Sequence, residues 1–269
     1  MLRSNVLSPF ILNDHFHEVS LFILFFIFVA GVSFGSFLHA LSIRILNNKS
    51  LLHGRSQCDK CHKELFWWHL IPILSYLYLK GRCYFCYSKI NIQNLISELL
   101  LGVLFVLYFI QFDTENFIFY SILSSLLLIC FITDWSSMQL HFPVMFLIMI
   151  VGILFNISLN FHSISFGLKF SFIGILSGWF LIFSINQIYL FFRKTNGFGE
   201  GDKWLLASIG SFFGLEQMIH IFIYASITSA IWGLLIINII NMSSIKTKLP
   251  FGAFLCFVSF FMPIIIIYT

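Results

Sequence analysis

Charge is what this sequence has least of. Only 10% of its 269 residues are Asp, Glu, Lys or Arg, where a water-soluble domain carries about 25% because its surface must be wetted. With 59% hydrophobic residues and a mean hydropathy of +0.95, the chain cannot cover itself with polar side chains. Lipid must therefore be the solvent for most of it. The basic residues form no contiguous patch, which excludes a nucleic-acid partner. A cleavable secretory signal is not evident either. The first apolar run, about Val19 to Ile43, follows Asp14, His15, His17 and Glu18 rather than a basic leader. It is also too long for a signal-peptide core, so it reads as a retained span. No internal repeat stands out.

What the sequence does have is apolar segments of membrane-crossing length. Eight can be drawn, at roughly 19–43, 92–111, 117–133, 143–160, 168–192, 203–217, 218–240 and 250–268, against about 20 residues needed to cross a bilayer as a helix. The sixth is the shortest, and only Gly214, Glu216 and their neighbours divide it from the seventh. All 15 basic residues except Arg3 and Lys169 lie in the stretches 44–91, 193–203 and 241–249. Cytoplasmic loops carry an excess of Lys and Arg, so these three stretches are expected inside and both termini outside. The expected fold is all-α, a polytopic membrane helix bundle of about eight spans with a cytoplasmic zinc-binding loop. Its organisation is an outer segment and first span over 1–43, the loop over 44–91, and the main bundle over 92–269. Within the loop, Leu65–Leu79 is apolar but short and interrupted by Pro72. Trp67, Trp68, Tyr76 and Tyr78 suit it to the headgroup region.

The loop also holds Cys58, Cys61, Cys83 and Cys86 as two CxxC pairs. Each CxxC turn presents two thiols, and four thiolates make a closed tetrahedral zinc site. Two disulfides are the competing reading, disfavoured on the cytoplasmic side where thiols stay reduced. A filled four-Cys site has no open position, so its role is structural. Cys130 and Cys256 lie inside spans and read as small packing residues.

Acids at membrane depth are costly and are functional candidates by default. Asp134 ends the third span, and Asp202 closes Gly199-Glu-Gly-Asp just before the sixth. The topology brings both to the cytoplasmic level. Two carboxylates in hydrogen-bond reach do not both ionise readily, so one keeps a proton. The ionised one can take a proton from water while its partner polarises a peptide carbonyl. Gly199 and Gly201 would let an extended substrate backbone approach and would allow torsions denied to other residues. The plainer reading is that Asp202 caps the following helix and Asp134 anchors at the interface. Glu98, about two turns into the second span, is another intramembrane acid. It is either a buried polar partner or part of a second site.

These features taken in order resemble the prepilin peptidases, the type IV leader peptidase group of intramembrane aspartic proteases. Gly35-Ser36-Phe37-Leu38 with Arg44 resembles that family's first-span motif, and the two CxxC pairs its zinc loop. Pro72-Ile-Leu-Ser-Tyr, Gly81-Arg82-Cys83 and Ser97-Glu98-Leu-Leu follow, and Lys248-Leu-Pro250-Phe251-Gly252 resembles the start of its last span. The resemblance implies that Asp134 and Asp202 are the catalytic pair, that Gly199, Gly201, Gly35, Arg44 and Glu98 bind substrate, and that Zn2+ sits on the four cysteines. It implies cleavage of the basic leader of type IV prepilins or type II secretion pseudopilins at the cytoplasmic face of the bacterial inner membrane. The cut falls after a Gly and usually before a Phe. Methylation of the new N-terminus with S-adenosylmethionine is implied as well.

The chain departs from the family pattern at three places. His39 stands where Asn is usual, Leu140 is followed by His141-Phe142-Pro143, and Lys203 comes one position after the GxGD motif where two is usual. The alternative from another class is a non-catalytic membrane secretion or transport component of the same fold. The oligomeric state has no signature in the sequence.

Overall fold

The structure, a computed structural model, describes residues 21–48, 56–58, 60–160, 163–194, 197–240 and 249–268. The expected outer segment before Leu21 and the basic residues Lys49, Arg55, Lys246 and Lys248 lie outside the described residues. The long elements are all helices: α1 (Leu21–Leu46), α3 (Ile92–Gln111), α4 (Thr114–Ser137), α5 (Phe142–Leu159), α6 (Ile164–Arg193), α7 (Glu200–Ile240) and α8 (Phe251–Tyr268). A short helix, α2 (Leu74–Tyr78), and a 3-10 turn at Trp67–Leu70 lie between α1 and α3. In lipid every backbone N–H and C=O must be satisfied within the chain, and a helix does this segment by segment. Six of the helices are long and apolar enough to cross a membrane, and α8 is a shorter apolar one. Phe22, Phe25, Phe34 and Phe37 on α1 and Phe166, Phe172 and Phe180 on α6 are exposed. An outward face this apolar suits hydrocarbon, not water.

The expected sixth and seventh segments are the two halves of α7, a 41-residue element with non-helical torsions at Gly214 (φ 74°). Phe198, just before α7, lies 6.1 Å ring to ring from Phe222 in its second half. Along one straight helix those residues would stand about 36 Å apart at 1.5 Å per residue. The chain therefore reverses at Gly214, and the eight apolar segments of the sequence are eight helical segments. The first half of α7 is about 20 Å long, less than the bilayer's hydrocarbon core of about 30 Å.

The chain divides into two compact units, Met1–Leu128 with Ile264–Thr269, and Ile129–Pro263. In the first, α1 packs along α3 through glycine. A Cβ on Gly31 would stand 2.7 Å from the Leu101 carbonyl oxygen, and one on Gly35 would stand 2.7 Å from that of Ser97. Without a hydrophobic drive between helices in lipid, such close backbone approach is what dispersion packing requires. Leu65–Leu79 does not span; Trp67, Leu70, Leu74, Leu77 and Tyr78 are exposed.

In the second unit α5, α6 and α7 pack on one another. Gly174 of α6 meets Gly210 of α7 backbone to backbone, and Gly178 faces the Leu206 carbonyl. Where the first half of α7 ends, its last carbonyls lose their intrahelical partners. The Asn156 side-chain amide supplies a donor there, lying 3.0 Å from Ser211 O and 3.2 Å from Phe212 O.

Candidate active site and metal centre

Three helix ends meet in the second unit. Asp134 sits in the last turn of α4, Asp202 in the first turn of α7, and Gly252 and Ala253 in the first turn of α8. The Ala253 amide donates to Asp134 Oδ2 at 2.7 Å across 119 positions of sequence, and the Gly252 amide also serves that carboxylate. The first N–H groups of a helix have no intrahelical acceptor and carry the positive end of its dipole, so a carboxylate is the favoured occupant. Asp202 Oδ2 accepts from the Gly199 amide at 2.9 Å. This is an acid three residues into a helix reaching back to the residue before it, half of a capping box. The bond to Gly199 occupies Oδ2 of the Asp202 side chain.

Asp134 and Asp202 are 5% and 8% exposed, so neither is a solvated surface acid. They are near enough to feel each other's charge, and one side chain, Leu140, sits against both Gly201 and Gly252. A Cβ on Gly201 would stand 2.9 Å from Leu140 Cβ, and one on Gly252 would stand 3.0 Å from both Leu140 Cδ1 and Asp134 Oδ2. The torsional role expected for Gly199 and Gly201 is corrected here. Among the described glycines only Gly81 and Gly214 have positive φ. Gly201 is small because Leu140 is pressed on it; Gly199 has only the Asp202 carboxylate near its Cβ position.

Two residues of this site gave little sequence signal. Asn186 of α6, 5% exposed, accepts from the Phe198 amide at 2.8 Å and donates to the Phe198 carbonyl at 3.2 Å. The Phe198 ring lies 4.7 Å from that of Phe251, which opens α8. An amide side chain in an apolar helix was the one available clue. Beside the carboxylates an apolar cavity of about 370 Å³ is lined by Phe131, Trp135, Trp232, Ala253 and Phe254.

The first unit holds the other expected residues. Gly35 lies at the α1–α3 crossing against the backbone of Ser97 and Glu98, and Arg44 is half-buried in the last turn of α1. Glu98, 2% exposed, accepts through Oε2 from the Ile73 amide at 2.8 Å. Ile73 itself has φ 60°, so this bond secures a strained turn ahead of α2. A cavity of about 180 Å³ is lined by Ser36, His69, Ser75, Tyr76, Asn94 and Glu98. His69 Nδ1 accepts from the Phe66 amide at 3.3 Å, which assigns the ring proton to Nε2. That Nε2 is buried without a hydrogen-bond partner.

The ligand atoms of Cys58, Cys61, Cys83 and Cys86 all lie within 4.8 Å of one another. The Cys58–Cys86 sulfur separation is 3.8 Å, and a tetrahedral ion with bonds of about 2.3 Å to sulfur has edges of about 3.8 Å. The donor set and its spacing could hold a metal ion. The two turns also repeat position for position. Cys58 N bonds Lys63 O and His62 N bonds Cys58 O; Cys83 N bonds Ser88 O and Tyr87 N bonds Cys83 O. His62 and Tyr87 share φ near 55°, and the bridges Gln57–Glu64 and Arg82–Lys89 close the two turns alike. No repeat shows in the sequence because only the cysteines and backbone torsions are shared. The Ser88 hydroxyl, 3.1 Å from Cys86 Sγ, and the Ser88 amide bring the Cys86 thiol down to about 6.

The sequence is similar to known proteins along most of its length. Residues 29–112 match the bacterial peptidase A24 N-terminal domain, and residues 121–234 match the type IV leader peptidase family. The prepilin leader peptidase/N-methyltransferase of Myxococcus xanthus (strain DK1622) is 29% identical over 83% of this chain and 66% of that protein. The like-named proteins of Klebsiella pneumoniae and Legionella pneumophila are 28% and 31% identical, over 75% and 77% of this chain and 90% and 71% of theirs. The matched stretch thus spans just under two thirds of the Myxococcus protein and most of the Klebsiella one. No solved structure matches the chain. With relatives of this identity and coverage, and with both family segments in order along the sequence, the chain belongs to the type IV leader peptidase family.

Proposed function

We propose that the chain is an aspartic endopeptidase that removes the leader of type IV prepilins or type II secretion pseudopilins, with Asp134 and Asp202 as its catalytic pair. The observation that carries this reading is the meeting of two nearly buried carboxylates, each held through one oxygen by backbone amides. Those amides fix the oxygens they bind and leave the others for substrate and water. One carboxylate, ionised, takes a proton from water as the hydroxyl attacks the scissile carbonyl. Its partner, protonated, donates to the carbonyl oxygen, and the proton gained by the first is passed to the leaving amine. Enclosure by α4, α7 and α8 excludes bulk water, which strengthens each of these interactions. The excess of Lys and Arg in the stretches 44–91 and 193–203 supports a cytoplasmic position for the carboxylates. Gly201 serves by admitting Leu140 between the helix ends, and Gly199 by leaving the ground beside Asp202 open to a peptide.

The test is leader removal from a purified prepilin by Asp134→Ala and Asp202→Ala variants in lipid or detergent, read on a gel. Both are expected to lose cleavage by a factor of roughly 10³ or more, as removal of an acid–base group in a coupled pair does. Full processing by either variant ends the assignment.

The four cysteines fit Zn2+, which would be fully ligated there and so would stiffen the loop rather than react. For N-methylation, the cavity beside Glu98 is the supporting observation: it offers a carboxylate to a primary amine and an Nε2–H to a neighbouring carbonyl. At about 180 Å³ it is smaller than the roughly 300–1,000 Å³ of drug-sized ligand sites. It fits an amino terminus and not the whole of S-adenosylmethionine. Gly35 supports this region by bringing α1 onto the backbone of Glu98, and Arg44, in the last turn of the same helix, is assigned to substrate by the family resemblance alone. Glu98→Gln should leave leader cleavage intact and reduce methyl incorporation about tenfold, counted with a radiolabelled methyl donor; unchanged incorporation removes Glu98 from that site.

A further inference from the structure

Asn186, on α6, bonds the peptide whose N–H donates to Asp202. Its Nδ2 donates to the Phe198 carbonyl at 3.2 Å. That carbonyl and the Gly199 N–H belong to one peptide unit, which is planar and, with no cis bonds among the described residues, trans. In a trans peptide C=O and N–H point opposite ways. Asn186 therefore holds one end of the plane and Asp202 Oδ2 the other, at 2.9 Å from Gly199 N. Asn186 Oδ1 also accepts from the Phe198 amide at 2.8 Å, so both faces of that residue's backbone are pinned. Donor, peptide and carboxylate form a chain in which each hydrogen bond polarises the next. The Phe198 ring, packed 4.7 Å from Phe251, ties the same residue to the helix start whose amides hold Asp134.

We propose that Asn186 is a positioning residue for Asp202, acting through the Phe198–Gly199 peptide. The role rests on the catalytic reading of the Asp134–Asp202 pair. Without the Nδ2 donor the peptide plane is free to tilt, and the Gly199 N–H no longer fixes which Asp202 oxygen faces its partner. Asn186 bonds the peptide and not the substrate, and the Gly199 N–H ends on Asp202, so the larger effect falls on turnover.

The experiment measures kcat and KM for leader removal by the full-length protein and its Asn186→Ala, Asn186→Asp and Asn186→Gln variants, with Asp202→Ala alongside. Asn186→Ala is expected to lower kcat roughly 10- to 100-fold, the scale of a displacement of about 1 Å at a reacting group, with KM within about twofold. Asn186→Asp keeps the acceptor for the Phe198 amide but loses the donor to its carbonyl. It should fall as far as the alanine variant, which a merely structural clamp would not require. Asn186→Gln, which keeps the amide, should recover part of kcat. Parental kcat in Asn186→Ala, or in Asn186→Asp if the alanine variant fails to fold, overturns the proposal while leaving the catalytic pair standing. Cleavage by Asp202→Ala would instead overturn the catalytic reading.

Discussion

The cysteine cluster and the carboxylate pair are assembled in opposite ways. Each cysteine turn closes within a few residues, through bonds such as Cys58 N to Lys63 O and Cys83 N to Ser88 O. The carboxylate site closes across the chain: Asp134 is held from Ala253, and the peptide before Asp202 is held from Asn186. A local turn forms at small loop-closure cost and keeps its shape when its surroundings change. A site pinned from distant helix ends is only as accurate as the packing that brings those ends together. The cysteine centre should therefore respond to its own residues alone, and the carboxylate site to changes well outside its reacting atoms.

The largest effect expected is at the carboxylates themselves, and the double variant sharpens it. If Asp134 and Asp202 share one chemical task, Asp134→Ala with Asp202→Ala should cleave no more slowly than either single variant, within about threefold, because groups that act as a unit are strongly non-additive. Multiplicative losses in a leader-removal assay would instead mean two independent roles.

A second, smaller effect tests the dependence on packing. Gly252→Ala places a Cβ 3.0 Å from Asp134 Oδ2 and from Leu140 Cδ1, tighter than ordinary contact. Leu140 must yield, and with it the contact on Gly201. Turnover is expected to fall roughly 10-fold or more at unchanged fold, on the same scale of misplacement at a reacting group. Gly233→Ala, whose added Cβ would meet only the flexible end of Leu249 at 3.0 Å, is the control and should be near parental. Equal activity in the two variants would remove the claim that glycine is needed at the Asp134 amides.

This contrast also explains what could be read from the sequence. Four cysteines in two CxxC pairs announce a cluster because spacing and chemistry are both written locally. Asp134 and Asp202 stood out for a different reason: lipid makes any acid conspicuous, and the placement of Lys and Arg led to the expectation that both lie at one membrane level. The eight apolar segments were legible too, down to the weak division at Gly214, which is a chain reversal. Asn186 and Leu140 were not. Their roles depend on which peptide and which glycine they meet in space, and neither residue type nor spacing encodes that. The glycines were read as torsional devices because sequence shows a missing side chain without showing what fills its place; Leu140 fills it at Gly201.

The smallest effect concerns the cysteine centre alone. The Ser88 hydroxyl and amide hold the Cys86 thiol at about 6, below the ordinary 9.0, so Cys86 is a ready thiolate at neutral pH in the metal-free cluster. The sign follows: the thiolate is present above about pH 6 and is lost as pH falls through it. Only thiolates bind the metal, so acid releases it. In metal-free protein, alkylation of Cys86 should rise with a midpoint near 6, measured by mass spectrometry across pH. Ser88→Ala should move that midpoint upward, since it removes the hydroxyl and leaves the amide. Added Zn2+ should suppress alkylation of Cys58, Cys61, Cys83 and Cys86 together, because a filled tetrahedral site occupies all four sulfurs. Cysteines that stay reactive one by one in excess Zn2+ would mean that the two turns, however alike, do not share an ion. Leader cleavage by Ser88→Ala should stay parental, because no bond in the Asp134–Asp202 site runs through that serine.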